Sequence, residues 1–216
     1  MPRLVVRWYP AVLVLLAAAA SLAVLDRLPE SMPIHFTMDG TANGWAPRDV
    51  GAFIAPALML LLWGVLRVAP TIDPRRENYA KFGSAYETTV AATLVLLLVV
   101  HLFVLALALG HHVPMQRLLP SLLGALFVVI GNVLPRARSN FMYGIRTPWT
   151  LSSERVWTRT HRLGGYTMTI AGLSMLAAGA FFPAAFTTPA LVITVALAVV
   201  TPAVYSYVAW RQETQS

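Results

Sequence analysis

Residues 86–109 read YETTVAATLVLLLVVHLFVLALAL. Beyond Glu87 the run holds one ionisable side chain, His101, inside an otherwise apolar stretch. A helix needs about 20 consecutive apolar residues to cross a bilayer's hydrocarbon core, and Tyr86–Leu109 supplies them. Working outward, the same length criterion finds Trp8–Leu25, Gly51–Ala69, Leu118–Leu134, Gly165–Phe182 and Pro189–Trp210. The expected fold is therefore all-α and polytopic, with about six transmembrane helices. The fourth span is short and stops at Pro135, and Pro202 predicts a kink in the sixth.

Composition agrees. Of 216 residues, 57% are hydrophobic and 12% charged, with mean hydropathy +0.66. Soluble domains carry roughly 25% charged residues, so this chain cannot clothe a globule in polar surface, and lipid is its solvent. With no cysteine, disulfides, thiolate catalysis and cysteine-bearing zinc sites are excluded. The net charge of +7 invites a nucleic-acid reading. Its arginines, however, sit at the ends of apolar runs, where basic residues orient membrane helices, so no direct nucleic-acid partner is expected.

The first span has a rival reading. Arg3 and Arg7, followed by an apolar run and Ala17-Ala18-Ala19-Ala20-Ser21-Leu22-Ala23, resemble a secretory signal peptide. The apolar run is close to full spanning length, and it is read here as a retained helix. Placing the N-terminus inside puts 13 of the 16 lysines and arginines on the cytoplasmic face, leaving Arg27, Arg48 and Arg117 opposite. The positive-inside rule then gives both termini in the cytoplasm.

Two loops are long. The external one, 26–50, contains Ile34–Thr37, which can extend, and Asp39-Gly40 and Asn43-Gly44, which favour positive-φ turns. It reads as a small ordered cap, with Trp45 at headgroup level and His35 and Asp39 as its polar candidates. The cytoplasmic loop, 135–162, runs through Gly144-Ile145-Arg146-Thr147-Pro148-Trp149-Thr150. Pro148 drives Thr147 extended. Ser152 or Ser153 can cap a new short helix with Glu154 in its first turn. On that helix Ser153, Trp157 and His161 share one face, and Arg155, Arg159 and Arg162 another. Such a helix is expected at the interface, anchored by its aromatic residue and facing anionic headgroups or a soluble partner.

At these loops the chain resembles a known family. Gly131-Asn132-Val133-Leu134-Pro135, Gly144 through Ser152, Glu154-Arg155-Val156-Trp157 and Thr160 through Gly165 are similar to the signature of the SdpI family. The external Pro33-Ile34-His35-Phe36, Asp39-Gly40 and Gly44-Trp45 resemble the uncharacterised membrane domain that commonly precedes it. The resemblance implies an integral membrane protein of immunity or signalling type. In the system that names the family, the membrane protein protects cells from a secreted killing peptide. It also holds a soluble transcriptional repressor at the membrane. A peptide toxin outside and a repressor inside are thus the partners the resemblance implies, with the lipid bilayer. Asn132, Arg146, Trp149, Glu154, Trp157, Arg159 and His161 are the candidate binding residues.

The two loops also resemble each other. Leu28-Pro29 leads to Phe36, Gly40 and Trp45; Leu134-Pro135 leads to Phe141, Gly144 and Trp149. A three-helix unit over 1–109, repeated upside down over 110–216, would place one loop on each face, as in secondary transporters. Proline, glycine and tryptophan are also simply common at membrane interfaces.

His101 near mid-span is either a proton-relay or ligand group, or a neutral imidazole bonded to a neighbouring helix. Glu87 can pair with Arg67 or snorkel to water. His35, Asp39, His111 and His112 share the outer face without metal-site spacing, and neither a metal nor a cofactor is expected. No nucleophile triad or phosphate-cradling glycine loop is visible, so the chain is not read as an enzyme. Arg146, between glycine and isoleucine-proline neighbours that restrain the backbone, can grip a carboxylate or phosphate or a lipid phosphate. The leading function is immunity or signalling. A small transporter or lipid-handling protein is the alternative.

Overall fold

The computed structural model describes residues 3–37 and 41–215, with side chains for 8–37, 41–183 and 189–215. Six of its helices are long and apolar enough to cross a membrane, with mean hydropathy between 1.2 and 2.9. Helix α1 (Arg3–Val24) is followed by a tight turn at Leu25–Arg27 and an antiparallel hairpin of β1 (Ser31–Phe36) and β2 (Ala42–Pro47). Helices α2 (Arg48–Ile72) and α3 (Tyr79–Ala108) complete a first group, in which all three helices touch one another. Helix α4 (Met115–Val133), the short α5 (Pro148–Ser152), α6 (Glu154–Phe181) and α7 (Ala184–Thr214) form the second. Among the described residues, the two groups meet helix to helix only where α3 lies against α4.

Outward-facing Leu15, Leu61, Ile170 and Leu197 are all more than 60% exposed. In water that apolar surface would be untenable; in lipid it is the solvated face. The interior of the first group is aromatic. Tyr79, Phe82, Tyr86 and Tyr143 form a ladder with ring centroids 4.8–5.8 Å apart, a spacing at which offset and edge contacts are favourable.

The second group is held by small residues. Gly124 and Gly131 on α4 face Gly172 and Gly165 on α6, Gly179 one heptad further meets Ser121 and Arg117, and α4 packs on α6 more extensively than any other helix pair. A Cβ on Gly172 would stand 2.5 Å from the Gly124 carbonyl oxygen, and one on Gly165 2.8 Å from that of Gly131. Only glycine lets the backbones come so close, and in lipid such close packing is a main source of helix association.

The hairpin caps one end of the first group. Its pairs run from Ser31 with Pro47 to Phe36 with Ala42, with irregular register around His35. Met32, fully buried, inserts against Gly51 and Ala52 at the start of α2 and near Leu105 of α3. Asp39, the acidic member of the external candidates, lies outside the described residues.

Two expectations are corrected. The stretch from Glu154 is not a separate interfacial helix: it is the first two turns of α6, continuous to Phe181. The arginines that suggested an interface (Arg155, Arg159, Arg162) are exposed on that same helix, while its other face enters the bundle. The third span likewise starts at Tyr79, seven residues before the apolar run begins, because the Tyr79–Phe82–Tyr86 face has aromatic partners to bury against.

Candidate functional site

The loop between α4 and α6 is built on two buried polar anchors. The first is Asp73, the residue after α2, which is 2% exposed. Its Oδ1 accepts from its own loop, from the Arg75 amide at 2.7 Å, closing a turn of the kind aspartate favours. Its Oδ2 accepts from the Phe141 amide at 2.8 Å, the Met142 amide at 3.1 Å and the Tyr79 hydroxyl at 3.2 Å. The second is Asn140, fully buried, whose Oδ1 accepts from the amides of Met142 at 2.9 Å and Tyr143 at 2.6 Å and from Tyr79 Oη at 3.2 Å. A carboxylate so buried is tolerable because four donors surround it.

The rest of the 73–79 turn reinforces this clamp. Arg75 donates from Nη1 to Ser139 Oγ and from Nη2 to the Leu151 carbonyl at 2.9 Å, and lies 4.9 Å from the centre of the Phe141 ring. Asn78 Nδ2 donates to the Ser139 carbonyl at 2.8 Å. Tyr143 shares a 2.9 Å hydroxyl contact with Thr89 on α3, and burial pushes its phenol above the ordinary range. The first three-helix group therefore grips a loop that belongs to the second.

From the other side, α6 supports the loop through Trp157 and His161, both fully buried, with rings stacked 4.0 Å apart. Trp157 Nε1 donates to the Ala137 carbonyl at 2.9 Å. The Ile145 amide donates to His161 Nε2 at 3.0 Å, so that nitrogen is an acceptor and the proton sits on Nδ1, 2.8 Å from the Trp157 carbonyl. Gly144, at φ 101°, is the residue that lets the chain pass: a Cβ there would be 2.4 Å from His161 Nε2. Thr147 then starts α5 with a reciprocal cap to Thr150, and its hydroxyl lies 2.9 Å from Ser206 on α7. Ser153 caps α6 and donates to Glu213 Oε2 at 2.6 Å.

Of the candidates read from sequence, Trp157 and His161 come together under the loop. Trp149, half-buried, packs on Tyr207 at 5.1 Å. Arg146, Glu154, Arg159 and Asn132 are exposed. Arg146 Nη1 donates to the Phe141 carbonyl at 2.6 Å, which fixes the guanidinium and leaves its other donors outward. On the hairpin, His35 Nδ1 lies 2.5 Å from Asn43 Oδ1, and Trp45 is 58% exposed. His101, 2% exposed, places Nε2 2.9 Å from Ser21 Oγ and 3.2 Å from the Ala17 carbonyl, and Ser21 donates to the Ala52 carbonyl at 2.5 Å. One polar node thus joins α1, α2 and α3.

Asp73, Arg75, Asn78, Tyr79, Ser139 and Asn140 were missed in the sequence. Asp73-Pro74 directly after a span was the available signal: a carboxylate in a basic loop, poised for an Asx turn.

Comparison with known proteins agrees with this layout. The model of the SdpI/YfhL protein family matches residues 136–206, which spans the clamped loop, α6 and most of α7. A domain of unknown function (DUF1648) matches residues 12–60, from within α1 through the hairpin to the middle of α2. The immunity protein SdpI of Bacillus subtilis is 27% identical over 196 residues, covering 91% of each chain. Over residues 136–206 the chain is similar to the SdpI family, and over most of its length to this immunity protein. The chain is a multi-pass protein of the bacterial cell membrane. No solved structure matches.

Proposed function

We propose that the chain is a membrane immunity protein that also signals: the hairpin meets a secreted toxin peptide or envelope signal, and the clamped loop docks a soluble repressor on the opposite face. The observation that carries this reading is the path of α2. It begins at the residue after the hairpin and ends at the residue before Asp73, so one helix of 25 residues joins the cap to the clamp. The similarity to an immunity protein runs over both loops. Both termini are cytoplasmic in this reading, which the distribution of arginines supports.

The test is survival. Cells lacking their own immunity protein are given this chain and challenged with secreted killing peptides, including the spent medium of the bacterium that encodes it. Protection that disappears in Asp73→Ala at equal membrane level is the expected result. Wild-type cells dying with the controls would overturn the reading. A transport reading draws on the two three-helix groups, each with its long loop after the first helix. Substrate flux in liposomes that His101→Ala abolishes would favour it instead.

A further inference from the structure

A second polar site lies on the far side of Tyr79. Between α1, α2 and α3 is a cleft of about 240 Å³ whose walls include Trp63, Tyr79 and Tyr86, with Arg67 and Glu87 at its rim. Both charges belong to membrane-spanning helices. Among the described residues, Arg67 makes no hydrogen bond or ion pair, and the Glu87 carboxylate accepts only from the Tyr9 hydroxyl, at 3.1 Å on Oε2. Two opposite charges thus line one cleft without neutralising each other. Both side chains are exposed, and such a pair across one cleft suits a ligand that brings both counter-charges at once.

Depth narrows the choice. Helix α3, with 30 residues, is about 45 Å long, enough to cross the hydrocarbon and both headgroup layers. Glu87 lies two turns inside its start and Arg67 five residues before the end of α2, which is headgroup and glycerol level. The aromatic walls suit an ammonium group, and the guanidinium suits a phosphate. We infer that this cleft binds a phosphate ester of a primary amine, supplied by a phospholipid headgroup or by the free compound. The ammonium donates to Glu87 and the phosphate accepts from Arg67. A quaternary headgroup has no hydrogen to give Glu87, and an anionic headgroup without an amine leaves it unpaired. Tyr79 lines the cleft with its ring and bonds Asp73 and Asn140 with its hydroxyl, so the ligand sits directly behind the clamp.

The test uses the purified, delipidated full-length protein and native mass spectrometry. Phosphatidylethanolamine, phosphatidylcholine, phosphatidylglycerol and water-soluble phosphoethanolamine are titrated separately. The expected result is a preference of about tenfold for a primary-amine phosphate over phosphatidylcholine and phosphatidylglycerol. Arg67→Gln and Glu87→Gln each erase it, and Glu77→Gln, exposed and outside the cleft, leaves it intact. Whether the lipid or the soluble compound binds assigns the source. Equal binding of all four ligands, or a preference that survives both cleft variants, overturns the inference. Each variant's melting temperature without added lipid separates loss of the site from loss of the fold.

Discussion

Replacing Asp73 by alanine removes a buried acceptor shared by the part-buried Phe141 and Met142 amides. A hydrogen bond to a charged group contributes about 1.5–3 kcal/mol, so the two together hold the loop by about 3–6 kcal/mol before any relaxation. Asn140 still accepts from Met142, which places the loss near the lower end, about 3 kcal/mol. Since 1.4 kcal/mol is tenfold in an equilibrium, local opening becomes roughly a hundredfold more frequent. Asp73→Asn keeps one acceptor but turns an amide donor toward the Arg75 N–H or the loop, and falls between, with opening about tenfold more frequent. Amide hydrogen exchange on protein in nanodiscs reads this directly. Phe141 and Met142 should lose protection by about these factors, while Thr150–Ser152, capped by Thr147, and the α4–α6 core keep theirs. Unchanged protection at Phe141 and Met142 would refute the clamp. Deprotection spread evenly over all helices would show that Asp73 serves global stability instead.

Three further outcomes follow from glycine geometry. Gly172→Ala puts a methyl against the Gly124 carbonyl and the Val128 amide, both rigid backbone. It should destabilise the second helix group by about 1–3 kcal/mol in thermal unfolding of the solubilised protein. Gly64→Ala, with nothing within 4 Å, should gain about 0.5–1 kcal/mol of helix stability in the same assay. Gly144→Ala forces an L-residue to φ 101° and pushes His161 off the Ile145 amide, costing about 1–3 kcal/mol. It should loosen residues 141–146 in proteolysis of the folded protein while leaving membrane insertion unchanged.

The spans were legible because lipid imposes a length that no local packing can conceal: residues 86–109 read as a helix whatever they touch. Extended structure near Ile34 also pointed toward the hairpin, but Asn43-Gly44, expected to turn, lies inside β2, where Gly44 pairs with His35. The clamp was not legible, because its two parts are separated by more than 60 residues and neither is unusual alone. Asp73 reads as one charge among Arg75, Arg76 and Glu77, and only the three-dimensional approach of α2's end to Phe141 gives it four donors. Trp157 and His161 were found by their spacing on one face, but arginines on the opposite face drew them to the membrane surface; burial reversed that. The heptad Gly165, Gly172 and Gly179 was readable as spacing. Glycine is frequent in membrane helices generally, and without its partners on α4 the repeat carried no direction.

For one loop to meet an external peptide and the other a soluble repressor, the hairpin and the clamped loop must lie on opposite faces of the membrane. The chain has no cysteine, so single cysteines can be placed at Trp45 and Met142, both exposed, and probed on intact cells with a membrane-impermeant maleimide. Cysteine at 45 should label at once and cysteine at 142 only after lysis. Labelling of both from outside, or of 142 alone, would contradict it.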